Sequence, residues 1–170
     1  MMRFFFPGLL FLLLHCFLSA QECTPSPGVS LLLEDFGSGS GAGPALASGT
    51  TTYSFGGIDE GMYLISNTSN RNGNFWHDGL DHTEGDVNGY MLLVNADEGA
   101  GIFYQKTLEV CPNTDYIFSC FIANVVVPIG CIGDAEKPDV RFTIVDPSDA
   151  SMVATITTGE IFYSSFLTWR

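Results

Sequence analysis

Apolar and polar residues alternate along much of this chain with a period of two rather than 3.6, the signature of strands. The clearest case is Val140, Phe142 and Ile144 interleaved with Arg141 and Thr143, the pattern of a half-buried strand. Runs rich in Val, Ile, Thr, Tyr and Phe, broken by Gly, Pro, Asn and Asp, predict strands over residues 29–36, 51–55, 62–66, 90–95, 102–110, 115–127, 140–145, 152–157 and 161–169. The longest run puts Tyr116, Phe118, Cys120 and Ile122 on one face and Phe121 and Ala123 on the other, which predicts a central strand. No helical period of useful length is present. Many short strands separated by turn residues predict an all-β fold, an antiparallel β-sandwich or barrel.

Two connections stand apart from this pattern. Residues 37–49 are rich in Gly, Ser and Ala, and mobility is expected there. The stretch lacks the Lys-Ser/Thr ending and the following helix of a phosphate-cradling loop. Its Ser38 and Ser40 lack the strand-turn-helix context of a nucleophile elbow. Residues 67–88 form a long polar loop carrying Trp76, His77, Asp78, Asp81, His82, Glu84 and Asp86. A loop of that length in a compact domain is usually functional or disordered, and its aromatic and acidic content favours function.

The N-terminus follows a different grammar. A single charge, Arg3, precedes an apolar run from Leu9 to Leu14 that continues through Cys16, Phe17 and Leu18. Small residues Ser19 and Ala20 and polar Gln21 and Glu22 follow, the order of a cleavable signal peptide over residues 1–20. The run is shorter than the ~20 residues a membrane span needs. The expectation is a secreted or cell-surface protein with no membrane span after signal cleavage. Residues 21–28 are then an N-terminal extension and 29–170 one β-domain; the 150 residues from Gln21 to Arg170 are enough for a buried core.

Charge and cysteines narrow the chemistry. Six Lys and Arg face 19 Asp and Glu, a net charge of −13 that becomes −14 once Arg3 is removed. Such a surface repels phosphate backbones, so nucleic acid is excluded as an expected partner, whereas cations, calcium above all, are suited to it. After signal cleavage Cys23, Cys111, Cys120 and Cys131 remain. Four cysteines in an exported chain suggest two disulfides with three pairings open. Cys111 and Cys131, which flank the apolar run, are the preferred pair; Cys120, inside it, also suits a buried free thiol. The spacings are not those of a zinc site.

The acidic residues Glu34, Asp35, Asp78, Asp81, Glu84 and Asp86 read either as solvated surface charge or as the source of a calcium site drawn from separate loops. His77 and His82 lack a third ligand at a recognisable spacing, so ordinary hydrogen bonding is favoured over a transition metal. No residue pair stands out for acyl transfer or glycoside hydrolysis, and a non-enzymatic protein is expected. Most aromatics belong in the core, but Trp76, in a polar loop, is expected to offer a face to a sugar ring. Asn67-Thr68-Ser69 is a glycosylation sequon, meaningful only in a eukaryotic secretory route.

Some of these residues fall in a familiar order. Asp81-His82-Thr83 followed by Gly89-Tyr90-Met91-Leu92-Leu93-Val94-Asn95-Ala96, with Glu34-Asp35-Phe36 upstream, is similar to MAM-like domains. The run from Val110 to Ser119, then Ala123-Asn124, Pro138-Asp139-Val140-Arg141-Phe142 and Thr158-Gly159-Glu160-Ile161, resembles the N-terminal jelly-roll module of surface proteins exported by type IX secretion in gliding bacteria. The resemblance covers most of residues 29–169. It implies a galactose-binding-like jelly-roll sandwich, as in many carbohydrate-binding modules, with adhesion or glycan binding as the function and a structural calcium held by Glu34 or Asp35 with Asp81. Family members continue past the position of Trp169 into another strand and an acidic segment, so a C-terminally truncated domain with an incomplete metal site is expected. The resulting expectation is a non-catalytic binding module for a glycan or cell-surface ligand, with Trp76, His77, Asp78 and His82 on the binding loop. Two alternatives stay open: the targeting domain of a secreted polysaccharide-degrading enzyme, and a structural spacer.

Overall fold

The computed structural model of the chain describes residues 28–128 and 137–170. The expected signal segment over residues 1–20, Cys23 and Cys131 lie outside the described residues. Strands and loops make up almost all of what is described, an all-β arrangement whose one helical turn is the 3-10 turn Gly73–Phe75. Five strands follow in chain order: β1 Ser54–Phe55, β2 Met62–Ser66, β3 Met91–Asn95, β4 Asp139–Val145 and β5 Met152–Glu160. They form a three-stranded sheet, β1-β2-β3, and a two-stranded sheet, β4-β5. Among the described residues no helix is long and apolar enough to cross a membrane.

The core is built on β2 and β3, antiparallel with Tyr63 opposite Val94, Leu64 opposite Leu93 and Ile65 opposite Leu92. Because side chains alternate across a strand, this register sorts the apolar residues onto two faces. Tyr63, Ile65, Leu92 and Val94 share one face with Tyr90, covered by Phe36, Leu46 and Tyr53. Leu64, Met91 and Leu93 form the other, covered by Trp76, Ile58, Val125 and Trp169. A strand pair that is apolar on both sides must be covered on both, and Ile65 is 1% exposed. Burying a side chain of that size stabilises the fold by roughly 1.5–3 kcal/mol.

The Gly-rich stretch 37–49, expected to be mobile, lies across this sheet. The Gly43 N–H donates to the Ile65 carbonyl (2.8 Å), the Tyr90 N–H to Gly37 (2.8 Å) and the Gly39 N–H to Asn88 (2.9 Å). The Tyr63 hydroxyl accepts from the Leu46 N–H at 3.0 Å. Glycine is used here for closeness: a Cβ on Gly43 would stand 2.6 Å from Ile65 Cγ2 and 2.9 Å from Tyr90 Cε2, and one on Gly39 would meet the Tyr90 hydroxyl. Sequence composition suggested a mobile loop; packing makes the stretch a lid on the first face.

Other expectations are corrected. β1 pairs with β2 in parallel, Ser54 with Met62 and Phe55 with Tyr63, so the sheet is mixed rather than wholly antiparallel. Residues 115–127 do not form a central strand. Ile117 is 97% exposed, Phe118 and Phe121 are also exposed, and regular pairing is limited to a bridge between Val126 and Trp76 and the reciprocal bonds of Ile122 with Arg170. Residues 29–36, 102–110 and 161–169 likewise make scattered bonds, such as the Thr52 N–H to Ile102 (2.9 Å) and the Ile161 N–H to Pro138 (2.9 Å), in place of ladders. Alternation is only half of a strand; the other half is a second backbone in register along its length.

Candidate functional site

Two polar constellations lie on the long loop 67–90. The first gathers acids around Gly89. Backbone bonds between 37–39 and 88–90 bring the segment carrying Asp35 against the end of the loop. The space a Cβ at Gly89 would fill is taken by both carboxylate oxygens of Asp86 and by Asp81 Oδ2, 2.5 Å from it. Asp81 Oδ2 accepts from the Thr83 N–H at 2.9 Å and Asp35 Oδ1 from the Gly37 N–H at 2.9 Å, so both side chains are fixed by their own turns. Desolvation first, then the negative charges of Asp81 and Asp35, push the Asp86 carboxyl above its ordinary range; the Gly89 N–H bonded to it pulls the other way. Phe36 (φ 57°) and Asn88 (φ 58°), both in the left-handed region, flank the cluster on its two strands of chain. Strain of that kind tends to collect at functional sites.

Of the three acids that the resemblance implies, Asp81 and Asp35 both act on Asp86 and Glu34 does not. Glu34 accepts from the Tyr104 hydroxyl at 2.5 Å and from the Phe36 N–H at 3.2 Å. Burial, then the Glu34 contact, raises the Tyr104 hydroxyl pKa. Asp86, one of the loop acids read as candidates in the sequence, joins Asp81 at Gly89. Its sequence signal is its position three residues before Gly89, at the mouth of β3. The donors are all oxygen, chemistry that suits a hard cation such as calcium. Among the described residues, no group of three or more Asp, Glu, His or Cys side chains is placed to hold a metal ion.

The second constellation is an open depression of about 640 Å³ beside the 3-10 turn, lined by Asn70, Asn74, Trp76, His77, Asp78 and Val127 among others. Trp76 differs from expectation: it is 7% exposed and packs with Met91 and Leu93, so its ring serves the core, although the residue still borders the depression. Its bridge to Val126 draws it inward. The His77 N–H donates to Val125 (2.7 Å), and its Nε2 lies 2.9 Å from the Ser164 carbonyl. Asp78 accepts from the Thr68 hydroxyl at 3.0 Å. His82 lies elsewhere, edge-on to Phe121 (4.3 Å between centroids) and stacked on Trp169 (6.0 Å), so the two histidines have separate roles. In the sequon, Asn67 Oδ1 accepts from the Gly41 N–H and the fully buried Ser69 hydroxyl donates to the His77 carbonyl, so the motif is part of the loop's framework.

Cys111 is disulfide-bonded, and Cys120 is a free thiol. Cys120 is exposed rather than buried, yet partial desolvation in an apolar groove shared with Ile122, Phe142 and Ile161 pushes its thiol pKa up. No family model matches the sequence, and no characterised protein or solved structure is similar to it. Fold and site geometry are therefore the basis for assigning its class.

Proposed function

We propose that this chain is a non-catalytic extracellular binding module of jelly-roll type that takes a glycan or cell-surface ligand on the loop 67–90. The observation that carries the reading is the closeness of Asp81 and Asp86 at Gly89, with the negative charge of Asp35 near enough to act on Asp86. Three like charges at the hinge of a long polar loop are costly unless a cation offsets them. Calcium, when bound, would supply that positive charge and tie the loop to the first segment of the domain. Asp81 and Asp86 would hold it, with Asp35 close by. The two-sided core of β2 and β3 and the separate β4-β5 hairpin are compatible with the strands of a sandwich.

Few protein oxygens argue for a weak site, in the range of about 10⁻⁴–10⁻³ M found in extracellular modules. Calorimetric titration with calcium should show such binding, and Asp81→Ala and Asp86→Ala should each abolish it. Unchanged binding in both variants would place the cation elsewhere. A glycan array read with and without calcium tests the ligand class, with stronger retention expected in its presence.

A further inference from the structure

We infer that the depression beside Trp76 is a subsite for an uncharged sugar ring, held through its hydroxyls by Asn70, Asn74 and Asp78. The inference rests on the glycan-binding reading above and assigns it a place and a ligand charge. The volume of about 640 Å³ falls within the roughly 300–1,000 Å³ of ligand clefts. Asn70 and Asn74 are exposed, and among the described residues their side-chain amides bond to nothing. Asp78 spends Oδ1 on Thr68 and leaves Oδ2 free. A carboxylate oxygen that only accepts, beside amides that donate and accept, complements neighbouring hydroxyls that do both.

The frame beneath these groups is rigid while the groups themselves are free. The Val127 N–H donates to Phe75 (2.9 Å), the His77 N–H to Val125 (2.7 Å), and the buried Ser69 hydroxyl to His77 (2.6 Å). A hydrogen-bonded frame limits the backbone ordering that binding requires, while ordering of the free side chains remains a cost. Val127 and Trp76 supply apolar contact for the C–H side of a ring. No Lys or Arg is among the described residues lining the depression and the chain carries a net charge of −13, so carboxylated or sulfated sugars are repelled.

The test uses oligosaccharides of glucose, mannose, galactose and xylose as neutral probes and oligogalacturonate as the charged one. Binding is measured by calorimetry for the full chain and for Asn74→Ala and Asp78→Asn. Both substitutions are at exposed positions, and an unchanged melting temperature confirms folding. At least one neutral probe is expected to bind, each substitution to weaken it by about tenfold, and oligogalacturonate not to bind. Neutral binding undiminished in both variants, or binding of oligogalacturonate alone, overturns the subsite and leaves the module reading standing. No oligosaccharide binding of any kind overturns both.

Discussion

Gly43→Ala tests whether the Gly-rich stretch is packed on the sheet. The new Cβ would stand 2.6 Å from Ile65 Cγ2 and 2.9 and 3.0 Å from two ring carbons of Tyr90. Both neighbours are buried, so neither yields cheaply. Overpacking of this kind costs roughly 1–3 kcal/mol, while the stiffer unfolded chain returns about 0.4–1 kcal/mol. A net loss of about 1–2 kcal/mol lowers the melting temperature by about 2–8 °C in a chain of this size. Ile65→Ala removes the clashing methyl, so thermal or urea unfolding of the double variant should show coupling of about 0.5–3 kcal/mol. Gly49→Ala is the contrast: its φ of 81° is strained for alanine but nothing lies within 4 Å. It should cost about 1 kcal/mol regardless of residue 65. Gly43→Ala within about 0.5 kcal/mol of the parent, or additive with Ile65→Ala, would refute the packing of this stretch.

Asp86, whose carboxyl pKa is raised in the folded state, contributes stability that is present below its unfolded pKa and lost as pH rises through the folded one. Asp86→Asn should therefore unfold at higher temperature than the parent at neutral pH without calcium, match it in acid, and gain nothing from added calcium. Desolvation disfavours the Cys120 thiolate, so alkylation of Cys120 at neutral pH should be slower than that of a free cysteine peptide and should accelerate only at higher pH. Peptide mapping without reduction should join Cys111 to Cys131, and reduction should destabilise the fold by about 2–4 kcal/mol.

Much of the β character was legible along the chain. Residues 62–66 coincide with β2, and 90–95, 140–145 and 152–157 fall within a few residues of β3, β4 and β5. These segments carry their own period, and their apolar positions name the face to be buried. The acids at 35 and 81 were legible as types in loops.

Partners were not legible, because a partner is a property of two segments. The run 115–127 alternates as well as β4 does, yet it has no ladder, since among the described residues a second backbone meets it only at 75–77 and at Arg170. β1 is a strand only because Met62 and Tyr63 lie parallel to it. Trp76 sits in a polar sequence, but its bridge to Val126 carries it into the core. Glu34 and Asp35 are adjacent in sequence and chemically alike. Tertiary structure sends Glu34 to Tyr104 and brings Asp35 toward Asp86. The sequence determined which residues carry charge, apolar surface and extended backbone. Only the pairing of segments some 50 residues apart, between 37–39 and 88–90, decided which charges meet.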